Sequence, residues 1–173
     1  WSCLESIFKH AYSTVYRWIM TFDEFFDFLM SEECFNDCSV SFINNRGEQQ
    51  YIEHDDLFAY KGKVVDLWFS GDDTIKVEGY ERIQPYDGTI HIFYAPTNAP
   101  SFPVHTDPID IYIECLDGRK IMEIDDQYVM IEKGTKIFIP ADTPHVALNS
   151  EKALTLSYGI NDTNTFSNLR KDY

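Results

Sequence analysis

From Ser39 onward the chain gives up helical spacing for short runs of β-branched and aromatic residues separated by turn residues, the pattern of an antiparallel sandwich or barrel. Val40 to Ile43 stops at Asn44-Asn45-Arg46-Gly47, and Val64 to Phe69 and Thr74 to Val77 flank Gly71-Asp72-Asp73 as a hairpin. Thr89 to Tyr94 follows the turn Pro85-Tyr86-Asp87-Gly88. Farther on, Ile109, Ile111, Ile113 and Cys115 alternate with Asp110, Tyr112, Glu114 and Leu116, which marks a strand with one apolar face. Lys120 to Ile124 and Tyr128 to Ile131 flank the turn Asp125-Asp126-Gln127, and Ile137 to Pro140, Val146 to Leu148 and Ala153 to Tyr158 complete the set. The fold predicted from this pattern is mainly β.

Before Ser39 the spacing is helical. Leu4, Ile7, Phe8, Ala11, Val15, Trp18 and Ile19 recur every three or four residues, and Thr21-Phe22-Asp23-Glu24 reads as a capping box that opens a second helix. Phe22, Phe25, Phe26 and Leu29 of that helix form a bulky stripe, expected to cover a face of the barrel or to serve as a homodimer seam. With 173 residues, 44% apolar and 16% aromatic, the chain suffices for one sizeable core. The expectation is a single domain over residues 1–173, helical over 1–36 and a barrel over about 39–160. The tail from Asn161 to Tyr173 is polar and weakly periodic, as surface segments are.

The formal charge of −15 is spread along the chain, with acidic pairs at Glu32-Glu33, Asp55-Asp56, Asp72-Asp73 and Asp125-Asp126, so a nucleic-acid partner is disfavoured. Four cysteines, at 3, 34, 38 and 115, make neither a Cys-x-x-Cys pair nor a dense disulfide framework, which suits a reducing compartment. No apolar run reaches membrane-spanning length and no signal peptide is visible, so the expected location is cytoplasmic.

The stretch from Phe102 to Asn149 carries the chemistry. Side chains two apart on a strand share a face, so His105 and Asp107 make a chelating pair. His145 follows after further strands, a separation too long for a local zinc knuckle but natural for a neighbouring strand of one barrel. Two imidazoles and a carboxylate form a facial triad, a donor set that suits iron and leaves positions open for other ligands. His10 and His54 lack such spacing, and His91 reads first as a hydrogen-bonded core residue.

The same stretch resembles the cupin superfamily. His105 followed by the strand Ile109 to Cys115 and the turn at Asp117-Gly118 is similar to the first cupin motif; Gly134, Pro140, His145 and Asn149 are similar to the second. Asp107, and the basic residues Arg119 and Lys120 directly after Gly118, narrow the resemblance to JmjC-like oxygenases that use Fe(II) and 2-oxoglutarate.

The resemblance implies a double-stranded β-helix, the cupin or jelly-roll barrel, with two N-terminal α-helices, and a metal held by His105, Asp107 and His145. It further implies that 2-oxoglutarate chelates Fe(II) while its far carboxylate meets Lys120, fifteen residues after His105, with Arg119 as the fallback. Tyr94 either donates its phenol to the same carboxylate or packs. Phe102 and Ile111 depart from the family pattern, standing where relatives place a hydroxyl residue and an asparagine or glutamate. The activity implied is hydroxylation or demethylation of a protein side chain or small molecule. A metal-dependent cupin that binds or isomerises a small polar metabolite, and a non-catalytic cupin sensor, are the alternatives.

Overall fold

The computed structural model describes residues 20–52, 73–80 and 89–159. The helix expected over Leu4 to Ile19, the strand Val64 to Phe69, the turn at Pro85 to Gly88, the tail, His10 and His54 all lie outside the described residues.

Among the described residues two short helices precede the strands, α1 (Phe22–Leu29) and α2 (Glu32–Asp37). Thr21 and Glu24 form the predicted capping box: the Glu24 amide donates to the Thr21 hydroxyl at 3.3 Å and the Thr21 amide to the Glu24 carboxylate at 2.7 Å. The helical segment is broken in two because Ser31 takes an extended conformation and caps the Cys34 amide, starting a new helix. No helix among the described residues is long and apolar enough to cross a membrane.

Nine strands follow among the described residues: β1 (Ser39–Ile43), β2 (Gln49–Tyr51), β3 (Thr74–Glu78), β4 (Ile90–Ala95), β5 (Ile111–Ile124), β6 (Gln127–Glu132), β7 (Lys136–Ile139), β8 (His145–Ala147) and β9 (Ala153–Gly159). Every pairing is antiparallel, in the order β2-β1-β3-β4-β9-β5-β6, with β7 and β8 also on β5. The fold is a mainly β jelly-roll sandwich, as expected.

The spine is β5, for which the sequence suggested two strands with a glycine turn between them. Instead one strand of 14 residues runs through, and a bulge at Cys115 to Asp117 passes it from one sheet to the other. Its first half lies between β9 and β7, its second between β6 and β8. Gly118 absorbs the change of direction with φ +73°, where an added Cβ would collide with the Lys152 carbonyl. The bulge also holds α1, since the Asp117 carboxylate accepts from the Phe22 amide at 3.0 Å.

Alternation along the strands divides the side chains between two layers. One face carries Val40, Ile75, Val77, Ile90, Ile92, Tyr94, Leu154 and Leu156, all buried together with Phe25 and Leu29 of α1. Phe25 stacks on Tyr94 with ring centroids 5.8 Å apart, and Phe22 and Phe26 meet the same ring edge-on. Of the two roles expected for the aromatic stripe, Phe25 and Leu29 therefore serve the barrel of their own chain. The opposite face of the large sheet looks into the sandwich, where Ile111, Ile113 and Met122 from β5 line a cavity.

Candidate metal centre

The strand expected to carry His105 and Asp107 does not form. His105 makes only an isolated antiparallel bridge to His145, its amide donating to the His145 carbonyl at 3.1 Å and its carbonyl accepting from the His145 amide at 2.9 Å. Pro103 and Pro108 supply no amide protons for a ladder on either side. The bridge does more for the site than a strand would, because it sets the two imidazoles side by side with ring centroids 4.4 Å apart. Asp107 is fixed separately, its carbonyl accepting from the Asp142 amide at 2.8 Å.

One donor atom from each of His105, Asp107 and His145 lies within 4.8 Å of the other two. The orientation of both rings is set from behind. His105 Nδ1 is 2.8 Å from the Pro103 carbonyl and His145 Nδ1 is 2.9 Å from the Thr143 carbonyl. A carbonyl can only accept, so each Nδ1 carries the proton and each Nε2 of a neutral ring offers a lone pair. His145 Nε2 stands 3.5 Å from the Asp107 carboxylate, with His145 itself 4% exposed. A lone pair and a carboxylate oxygen facing each other repel unless a cation lies between them, and two imidazoles with a carboxylate are the donor set of a divalent transition metal. The residues present could hold a metal ion, as the sequence suggested.

Behind the triad is a cavity of about 510 Å³, within the range of small-molecule sites of about 300–1,000 Å³. Lys120 lines it from β5, 5% exposed, and donates to the Asn149 side-chain oxygen at 2.7 Å. Burial pulls its pKa down from 10.5 to about 8, against a small opposing effect of Cys115. Among the described residues no carboxylate pairs with this ammonium. Asn149 is itself 1% exposed with φ +50°, and its amide nitrogen donates to the Ala99 and Pro100 carbonyls at 3.1 and 3.3 Å. It therefore ties Lys120 to the loop that leads to His105, a role not readable from its place at the end of the second motif.

Two residues expected near the cosubstrate are elsewhere. Tyr94 shares its face with Ile90 and Ile92 and packs among Phe22, Phe25 and Phe26, while its strand neighbours His91 and Phe93 line the cavity. Strand parity excludes it from the cavity. Arg119, one residue from Lys120, is turned outward by the same parity and pairs with Glu132 and Glu151, both at 3.2 Å. Phe102 and Ile111 do line the cavity, as does Thr155, which is 2% exposed and whose hydroxyl has no hydrogen-bond partner among the described residues. His91 lines the cavity too, its Nε2 3.6 Å from Glu78.

No family model matches the sequence, and no curated protein is similar to it at the sequence level. Solved structures are similar in fold. YcfD, a ribosomal oxygenase from Escherichia coli, is 16% identical with a TM-score of 0.54 over 88% of this chain; the chain spans 47% of that protein, about half its length. A cupin superfamily protein from Desulfitobacterium hafniense is 19% identical with a TM-score of 0.40 over 43% of this chain and 68% of its own. A conserved protein of unknown function from Streptococcus pyogenes is 24% identical with a TM-score of 0.44, covering 71% of this chain and 97% of its own. At these identities the likeness is one of fold alone.

Proposed function

We propose that the chain is a JmjC-like oxygenase that uses Fe(II) and 2-oxoglutarate to hydroxylate or demethylate a protein side chain or a small molecule. The observation that carries this reading is the pairing, in one cavity, of the His105, Asp107 and His145 donors with a buried ammonium, Lys120, that has no carboxylate partner among the described residues. Bound iron and 2-oxoglutarate supply an oxidation in which one atom of O₂ goes to the substrate and the other to succinate, with release of CO₂. A solved structure of YcfD in complex with cobalt and succinic acid adds support.

The chain's own residues have distinct tasks. His105 and His145 offer Nε2 and Asp107 a carboxylate oxygen, and both imidazoles are oriented before any metal arrives, so their rings need little reorganisation on binding. Lys120 receives the far carboxylate of the cosubstrate, and Asn149 holds the ammonium in place. The buried Thr155 hydroxyl, on the β9 residue paired with Cys115, supplies a second donor to that carboxylate in place of the hydroxyl residue that Phe102 replaces. The apolar walls Ile111, Ile113 and Met122 thin out water, which strengthens these charge interactions. A reducing, cytoplasmic setting fits the free thiols of Cys34, Cys38 and Cys115 and would keep the metal as Fe(II).

Calorimetry with manganese in place of iron tests the assignment. Asp107→Ala should lower metal affinity by tenfold or more with the fold intact. Lys120→Ala should leave metal binding unchanged and weaken 2-oxoglutarate by tenfold or more, the cost of a lost charge-assisted hydrogen bond. Metal binding with no detectable 2-oxoglutarate affinity in the wild type would favour the metabolite-binding cupin instead.

A further inference from the structure

A second lysine enters the same cavity and is not used by the proposed chemistry. Lys76, on β3, is 8% exposed and lines the cavity. Its ammonium donates to Glu78 at 2.7 Å and lies 5.9 Å from the centroid of the Phe93 ring and 5.7 Å from that of Phe102. An ammonium has three protons, and among the described residues the other two find no acceptor. Those two protons are available to an acceptor that a ligand brings into the cavity.

Glu78 does not follow that ligand, because it is held from several sides. Burial works against its charge, but the hydrogen bonds from Lys76 and from the Tyr51 hydroxyl at 2.7 Å keep its carboxyl below the usual range. Gln49 donates to the same oxygen at 3.0 Å, and His91 stands 3.6 Å from the other. The carboxylate thus fixes Lys76 while the ammonium keeps two protons for the cavity. Phe102 connects this point with the metal centre: its ring is 6.0 Å from the His105 ring, edge to face, and meets Phe93 in the same way at 6.5 Å. A group held by Lys76 therefore has two aromatic walls beside it, one of which also borders a metal ligand.

We infer that Lys76 is the anchoring point for the substrate to be oxidised, and that this substrate carries a carboxylate on a flat or apolar body that lies against Phe93 and Phe102. Naming it a substrate site rests on the oxygenase reading; the binding site itself does not. A carboxylate is favoured over a neutral carbonyl because the Glu78 charge is shared with the Tyr51 hydroxyl and the Gln49 amide as well as Lys76, which leaves the two remaining ammonium protons to make charge-assisted bonds, about twice as strong as neutral ones. Phe102 then acquires a purpose at a position where relatives place a hydroxyl.

Benzoate binding, measured by calorimetry on the full chain, tests the inference, with one arm loaded with manganese and saturated with 2-oxoglutarate and one arm free of both. Benzoate should bind beside 2-oxoglutarate, benzamide at least tenfold more weakly, and Lys76→Met should weaken benzoate at least tenfold while 2-oxoglutarate affinity stays within twofold. Equal binding of benzamide, equal binding by Lys76→Met, or benzoate that binds only where 2-oxoglutarate is missing would overturn it. Lys76→Met leaves Glu78 without its cation, so its melting is followed by circular dichroism; should it not fold, the wild-type comparison of benzoate with benzamide decides. Loss of 2-oxoglutarate binding in the wild type would strike the oxygenase reading alone, because the ligand-free arm still compares benzoate on wild type and Lys76→Met.

Discussion

A lysine ammonium enclosed by a barrel is held there against its own solvation, and Lys120 registers this as a pKa pulled from 10.5 to about 8. The unfolded chain keeps its proton up to the ordinary lysine range, so between pH 8 and 10.5 it binds more protons than the folded one. Stability of the ligand-free protein should therefore rise with pH across that window, by on the order of 3 kcal/mol for this group, and Lys120→Met should abolish the rise; pH-resolved urea unfolding measures it. A dianionic cosubstrate needs the charged form. Its affinity should be level below about pH 8 and fall as the proton leaves above it. Asn149 offers the complementary test. Asn149→Asp would give the ammonium a carboxylate at the 2.7 Å contact now made by the amide oxygen, and should weaken 2-oxoglutarate by tenfold or more in calorimetry while leaving metal affinity unchanged.

At the scale of elements, β5 and α1 support the site from outside the cavity. Gly118→Ala would force a Cβ against the Lys152 carbonyl at φ +73°, and the bulge that aims Lys120 inward would have to shift. A loss of about 1–3 kcal/mol is expected in urea unfolding, together with weaker cosubstrate binding. Phe25→Ala removes a fully buried ring stacked on Tyr94 and should cost about 3–5 kcal/mol without changing metal affinity. The sequence made most of the elements legible, since alternation and turn residues mark β1, β3, β4, β6, β7 and β9 to within a residue or two. It failed where a local signal has two outcomes. A glycine between apolar runs marks a turn or a bulge, and only the sheets flanking β5 decide in favour of the bulge. Gln49-Gln50-Tyr51 forms β2 with no apolar alternation at all, because among the described residues it pairs with β1 alone and buries little.

Across the whole molecule, the donor triad was legible because its residues sit inside two motifs, whereas the cluster of Lys76, Glu78, His91, Tyr51 and Gln49 was not. Those five come from β2, β3 and β4 and meet only through strand register, which no spacing in the chain announces. The homodimer expected from the aromatic helix is proposed on a narrower footing, since Phe25 and Leu29 are buried within the chain and only Phe22 and Phe26 of that stripe keep surface for a partner. Light scattering at high concentration should give twice the chain mass, reduced to one in Phe26→Asp; a monomer at every concentration removes the proposal. The roles given to Lys120, Asn149 and Thr155 depend on the oxidation proposed for the cavity behind His105, Asp107 and His145. Succinate released after anaerobic loading with Fe(II) and 2-oxoglutarate and a single exposure to O₂ tests that most directly. Release from the wild type, lost in Asp107→Ala, is the expected result, and succinate no higher than in the metal-free control would contradict it.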